Sequence, residues 1–299
     1  MRAVAAVYNG GGFEGDSSGR RCQALKPKCL APGRSFLMKQ AWFRFYAELN
    51  DFLPADRRQR AFAHSFAGRV AVKDMIEALG VPHTEVELIL VNGASVDFTY
   101  LVQEGDRVSV YPVFERLNIA GVTRLRPRPL RVPRFIADVH LGALVKKLRL
   151  LGFDTLYDPG YDDPELAALS STETRILLTR DTGLLMRSVV SRGLYIRNTD
   201  PRLQLKELIT RLDLGTLVKP FTRCIRCNGT IAPVPAGTEA YRDVLRTVPP
   251  GVRSWCRDFG ACTCCGNVYW KGSHFKRILE ELSDLLPDIV DAYPDDPPG

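Results

Sequence analysis

Two Cys-x-x-Cys pairs, Cys224-Ile225-Arg226-Cys227 and Cys262-Thr263-Cys264-Cys265, stand 34 residues apart, with residues 228–261 between them. No other feature of the chain constrains its folding as tightly. A two-residue spacer lets both thiolates of a pair reach one tetrahedral ion at about 2.3 Å. Two such knuckles predict a structural zinc site with ligands Cys224, Cys227, Cys262 and Cys265, in a small ribbon with little core of its own. Gly229 and Gly266 follow the pairs closely, as a tight knuckle turn needs. Cys264 has the wrong spacing for a ligand, and Cys22, Cys29 and Cys256 lack partners at suitable spacing.

No apolar run approaches the roughly 20 residues that span a bilayer, and the VAAVY stretch near the N-terminus is too short for a signal-peptide core. A cytoplasmic location with no membrane partner is expected, and there paired cysteines point to metal rather than disulfide. The 299 residues allow two domains and a small appendage. A net charge of +7 favours an acidic partner, of which nucleic acid is the commonest, with charge for solubility as the plain alternative.

Residues 1–37 hold Gly10-Gly11-Gly12 and no hydrophobic period, and are expected to be disordered. Met38, immediately before a well-patterned segment, is read as a candidate start of translation. From 38 to about 116 the order is strand, strand, helix, strand, strand. WFRFY and RAFAHSF are strand-like, and AVKDMIEALG sets Val72, Met75, Ile76 and Leu79 at helical spacing with Gly80 as the cap. VELILVNGASV is a hairpin around Asn92-Gly93, and EGDRVSVYPVF closes the sheet. One helix between two hairpin-like pairs is a β-grasp arrangement, which resembles ubiquitin-like and sulfur-carrier proteins. Those carriers act through a free C-terminal Gly-Gly, whereas this strand runs on through Pro112-Val113-Phe114, so a binding or scaffold role with a protein partner is expected instead. Residues 117–133 form an Arg/Pro linker in which Arg124, Arg126, Arg128 and Arg131 stand without an acid. They suit phosphate contacts, or simply a solvated semi-rigid spacer.

Beyond the linker the period changes to alternating strands and helices over 134–215, which predicts a parallel sheet wrapped by helices. The strands are RFIAD, FDTLYD, RILLT and LYIRN. The helices are LGALVKKLRLLG, with Leu141, Leu144, Val145, Leu148 and Leu151 on one face, then DPELAALSS, TGLLMRSVVSRG and PRLQLKELITRL. A carboxylate follows each strand: Asp138, Asp158, Asp181 and Asp200. Ligands of open parallel sheets bind outside the carboxyl ends of the strands. Acids gathered there repel one another unless a divalent cation neutralises them, and oxygen ligands point to Mg²⁺ or Mn²⁺. Such ions suit phosphodiester cleavage. The competing role is helix capping, to which Asp181 and Asp200 are well placed and Asp138 least so. Asp162, Asp163 and Glu165 compete with Asp158 for the middle position. A dehalogenase-type phosphatase is disfavoured, because Asp138-Val139-His140 is not Asp-x-Asp.

After the second knuckle, YWKGSHFKR sets Tyr269 and Trp270 beside Lys271, His274, Lys276 and Arg277. These residues can stack bases and hold phosphates, or the aromatics can pack the ribbon while the charges are solvated.

FIADVHLGALVKKLRLLGFDT, RILLTRDTGLL, YIRN and the Cys-x-x-Cys-Asn-Gly knuckle, in this order, resemble the PIN-like ribonucleases named after the Mut-seven C-terminal domain, over roughly Trp42 to Arg277. The resemblance implies a PIN-type nuclease fold joined to a zinc ribbon, with a ubiquitin-like domain in front. It implies that Asp138 and Asp181 are metal-binding acids, while Asp158, Asp163 and Asp200 remain candidates for the others. Where the family's helix has Ala-Arg-Trp, this chain has Val145-Lys146-Lys147. The expected architecture is thus α+β and α/β multidomain: a β-grasp domain, a PIN-like parallel α/β domain over 134–215, and a zinc ribbon with a C-terminal helix over 216–287. Residues 288–299 form a tail expected to be disordered. The expected function is a divalent-metal-dependent ribonuclease acting on RNA. The alternative is an RNA-binding adaptor that keeps the fold without the catalysis.

Overall fold

The computed structural model describes residues 38–112, 124–125, 133–272, 280 and 283. The N-terminal extension, the linker arginines Arg126 and Arg128, His274, Arg277, most of the C-terminal helix and the tail lie outside the described residues.

The first domain is a five-stranded sheet in the order β2-β1-β5-β3-β4. Its strands are β1 (Met38–Phe45), β2 (Phe62–Ala67), β3 (Val86–Val91), β4 (Ala94–Val96) and β5 (Arg107–Pro112), and α1 (Val72–Ala78) crosses one face. β1 runs parallel to β5 and antiparallel to β2. This is the β-grasp arrangement that the pattern predicts. Alternation in β1 turns Ala41, Phe43 and Phe45 inward, where they meet Val72, Met75 and Ile76 of α1. The β3–β4 hairpin turns at Asn92 (φ 51°) and Gly93 (φ 87°), the pair of positive φ values that a tight two-residue turn demands.

The second domain is a four-stranded sheet in the order β7-β6-β8-β9, every pair parallel. Its strands are β6 (Phe135–Ala137), β7 (Thr155–Leu156), β8 (Ile176–Thr179) and β9 (Gly193–Tyr195). α2 (Gly142–Leu150) and α5 (Pro201–Arg211) bury one face of the sheet, and α3 (Asp163–Thr172) and α4 (Thr182–Leu185) the other. The expected apolar stripe of α2 is buried throughout: Leu141, Leu144, Val145, Leu148 and Leu151 all lie in one core. The helix expected over 182–193 is shorter than its pattern. It ends at Leu185; the Ser188-Val189-Val190-Ser191 stretch beyond it carries no strong helix former, and the Val190 carbonyl accepts from His83 Nε2 of the β-grasp domain at 2.8 Å.

That contact belongs to a polar seam between the two domains. Glu85, fully buried, accepts from the edge-strand Tyr195 N at 2.5 Å and from Arg211 Nη2 at 2.5 Å. Arg197 reaches Asp51 Oδ2 (3.0 Å) and the Glu48 carbonyl (3.3 Å), in a short helical turn of the β-grasp domain. The seam thereby covers the open edge of the parallel sheet.

The third unit is an antiparallel ribbon of β10 (Ile231–Val234), β11 (Phe259–Cys262) and β12 (Val268–Tyr269). Between β10 and β11, α6 (Glu239–Thr247) and α7 (Pro250–Arg253) form an insertion. Tyr241, Val244 and Val248 pack there on Cys256 and Phe259. The ribbon therefore has a small core of its own, beyond what its strands alone would supply.

Candidate active site and metal centre

The order β7-β6-β8-β9 places the topological switch point between β6 and β8, where a ligand crevice is expected. Asp138 follows β6 directly, and its N–H donates to the Leu178 carbonyl at 3.0 Å, extending the ladder to the strand's end. It begins a short helical turn without a side-chain capping bond, so its carboxylate is not used as a cap. Instead Asp138 Oδ2 accepts from Thr179 Oγ1 at 2.7 Å. The same hydroxyl oxygen accepts from the Asp181 N–H at 3.0 Å. Thr179, fully buried at the end of β8, thus links the Asp138 carboxylate to the backbone of Asp181. Sequence reasoning passed over Thr179. The available signal was a hydroxyl ending an otherwise apolar central strand.

Asp181 is exposed and also caps α4: its Oδ1 accepts from Gly183 N (2.7 Å) and Leu184 N (3.4 Å). Asp200 caps α5 through Arg202 N (2.8 Å) and Leu203 N (3.1 Å). Asp158 closes a local turn onto Gly160 N at 2.8 Å. Asp163 opens α3 and pairs with Arg187 at 3.6 Å, while Asp162 caps that helix in a reciprocal pair with Glu165. Each acid stands at the carboxyl end of the sheet, but Asp158 and Asp200 belong to the outer strands. Among the described residues, no three carboxylates stand close enough together to share one ion. The β9–α5 loop that carries Asp200 is held firmly. Glu207 accepts from Arg197 N (3.1 Å) and Asn198 N (3.3 Å), and Arg180 Nη1 donates to the Arg197 carbonyl (2.9 Å).

The four expected zinc ligands converge. One ligand atom each from Cys224, Cys227, Cys262 and Cys265 lie within 4.8 Å of one another, with Cys224–Cys265 at 3.6 Å and Cys227–Cys262 at 3.4 Å. Bonds of about 2.3 Å in a tetrahedron put sulfurs roughly 3.8 Å apart, so the spacing fits zinc. Burial resists charge on Cys224, but the Tyr269 hydroxyl (3.0 Å) and the N–H of Cys227 draw it down to about 6. The Gly229 N–H favours a thiolate on Cys227, yet burial and the neighbouring thiols push it up to about 12. Four thiolates so close together require a cation. Cys264 stays outside the cluster, as its spacing predicts. The left-handed residue of the first knuckle is Asn228 (φ 65°); Gly229 is needed for room, since a Cβ there would lie 2.9 Å from Cys262 Sγ. Gly266 (φ 71°) supplies the turn of the second knuckle.

The first knuckle is fastened to the α/β domain. Arg149 donates to the carbonyls of Ile225 and Arg226, both at 3.1 Å, and to Thr155 O at 3.0 Å. Asn228 Nδ2 donates to Asp154 Oδ1 at 2.7 Å, and Asn228 Oδ1 accepts from Thr155 N at 3.0 Å. Gly152 allows the Lys219 carbonyl to cross α2, where a Cβ would sit 2.1 Å from it. Of the residues expected to meet RNA, Trp270 packs against the core of the insertion, Lys271 is exposed beside it, and Arg124 is exposed. Tyr269 serves Cys224 and the Ile225 N–H (3.0 Å).

A β-grasp domain, a parallel α/β domain with acids at its switch point and a four-cysteine cluster define a multidomain α+β and α/β protein. The Mut7-C RNAse domain family model matches residues 133–282, and the Mut7-C ubiquitin model matches 38–118. The chain belongs to the Mut7-C RNAse domain family. No curated protein and no solved structure matches it. Among the described residues, no helix is long and apolar enough to cross a membrane.

Proposed function

We propose that the chain is a divalent-metal-dependent ribonuclease that cleaves RNA phosphodiester bonds between Asp138 and Asp181. The observation that carries this reading is the Thr179 hydroxyl at the switch point, which donates to the Asp138 carboxylate, itself free of any capping bond, and accepts from the Asp181 N–H. Two carboxylates suit Mg²⁺ or Mn²⁺, which bind through one or two acids and complete their shell with water and substrate phosphate. Asp138 and Asp181 would hold such an ion, and it would supply water activation and stabilisation of the leaving oxygen. Thr179 fixes the orientation of the Asp138 carboxylate, and Asp181 is fixed by the first turn of α4. The four cysteines hold a structural zinc, and the ribbon with the arginine linker (Arg124, Arg126, Arg128) holds RNA.

The second reading, an RNA-binding adaptor without catalysis, is favoured by one observation. Asp158, Asp181 and Asp200 all accept backbone N–H bonds as turn or helix caps. Incubating the purified chain with labelled RNAs, with and without added Mn²⁺, separates the two. Products that appear only with Mn²⁺ support the nuclease, and binding without cleavage on every RNA supports the adaptor. Omitting Mn²⁺ is better than adding a chelator, which would also strip the cysteine site.

A further inference from the structure

A groove of about 470 Å³ opens between the outer face of α2, Tyr157 and the first zinc knuckle. Lys146, Arg149 and Arg226 line it together with the rings of Tyr157 and Tyr269 and the amide side chain of Asn267; among its described lining residues none is acidic. Arg149 is occupied in fastening the knuckle. Lys146 and Arg226 are exposed, and among the described residues neither side chain has a hydrogen-bond or ion-pair partner. At one end, Tyr157 Oη donates to the Val139 carbonyl at 3.0 Å, one residue from Asp138. At the other end the Tyr269 hydroxyl meets Cys224. One end of the groove thus lies beside the turn that follows Asp138, and the other at the first zinc knuckle.

We infer that this groove binds a single-stranded segment of RNA flanking the scissile bond, with Lys146 and Arg226 on phosphates and a base against the tyrosine rings. The inference rests on the ribonuclease reading and adds where the strand lies and what form it takes. Two unpartnered cations beside aromatic rings, with no acid between them, match what a sugar–phosphate strand with unstacked bases requires. A duplex hides its base faces and offers the rings nothing to stack on. The groove also explains why the ribbon is rigidly joined to the α/β domain. Five of its lining residues come from the α/β domain and four from the ribbon, so a mobile ribbon would leave no groove.

The test is fluorescence anisotropy of a labelled single-stranded RNA with the full-length, zinc-loaded chain, without added Mg²⁺ or Mn²⁺. Lys146→Glu and Arg226→Glu are compared with Arg242→Glu, an equal charge change at an exposed position on α6. Each groove variant should weaken binding by about tenfold and lower the slope of log affinity against log salt by about one, with zinc content and melting temperature at parental values. Arg242→Glu should bind nearly as the parent does. Groove variants indistinguishable from Arg242→Glu overturn the inference, as does an equal loss of affinity for a duplex of the same length. Because binding is read without the catalytic ion, the two readings fail separately. A chain that needs Lys146 and Arg226 to bind RNA but never cleaves it refutes only the nuclease. One that cleaves RNA while both groove variants bind normally refutes only the groove.

Discussion

Replacing Glu85 with Ala should uncouple the β-grasp domain from the parallel sheet. Glu85 is fully buried, and its two oxygens serve Tyr195 N and Arg211 Nη2, both at 2.5 Å. Its loss leaves Arg211 Nη2 and an edge-strand N–H without their acceptor. Removing one member of a buried ion pair costs about 3–5 kcal/mol. Glu48 and Glu207 still face Arg211 at 3.7 and 3.8 Å, so the lower end, about 3 kcal/mol, is expected. For a unit of this size that corresponds to a fall in melting temperature of roughly 6–12 °C. Scanning calorimetry reads both the shift and its character, since a broken seam should split one transition into two. The double variant Glu85→Leu, Arg211→Met removes both charges together and should regain more than half of the loss; the Tyr195 N–H remains unpaired, at about 1 kcal/mol. A single unsplit transition at the parental temperature in Glu85→Ala would refute the reasoning, and the seam would then be a passive contact.

Elemental analysis should give about one zinc per chain, with Cys224→Ser and Cys265→Ser losing it and Cys264→Ser keeping it; full retention in the first two would exclude the four-thiolate centre. Asp154→Asn should destabilise the chain by about 2 kcal/mol near neutral pH, because Asp154 binds both Arg175 (2.7 Å) and the knuckle residue Asn228 (2.7 Å). Burial opposes its charge, but Arg175 and Asn228 hold its carboxyl below the usual range. A depressed folded value means that the unfolded chain binds more protons, so this stability is present above the ordinary carboxylate pKa and is lost as pH falls through the folded one. Chemical denaturation of both proteins should accordingly show their difference shrinking as pH falls below about 4 and on through the lower folded value; a constant difference contradicts it. Thr179→Val, of nearly the same shape, should lower cleavage by about tenfold, as a buried hydrogen bond to a charged acceptor is worth about 1.5–3 kcal/mol. An unchanged rate in that variant would show that the hydroxyl does not orient Asp138.

What could be read from the sequence followed from local chemistry. The inward residues of β1, the buried stripe of α2, the Asn92-Gly93 turn and the thiol spacing each depend on neighbours within a few positions, so period and residue type were enough. The capping role of Asp181 and Asp200, and the absence of a capping bond at Asp138, were anticipated on the same ground. The seam was not legible, because Glu85 and Arg211 are 126 positions apart and neither carries a local signal of pairing. Nor was the contact of the Val190 carbonyl with His83, 107 positions away in another domain. The insertion in the ribbon was legible and was passed over: Tyr241, Val244 and Val248 recur at helical spacing after the capping Thr238. Convergence of all four strand-end acids was expected on charge grounds, but the strand order separates the outer two, and their carboxylates bind the nearest backbone N–H groups instead.

In the proposed mechanism Asp138 and Asp181 together hold the ion that cuts RNA. Asn at either position keeps size and hydrogen bonding while removing a charged ligand. Asn also caps a helix about as well as Asp, so a purely structural role would leave the rate nearly unchanged. The decisive measurement is the single-turnover cleavage rate of Asp138→Asn and Asp181→Asn in Mn²⁺, on an RNA that the parent cleaves, with affinity and melting temperature recorded alongside. Both variants should lose at least about a hundredfold in rate, with affinity and stability near parental values. Parental cleavage rates in both would contradict that mechanism and leave the two aspartates as elements of the fold alone.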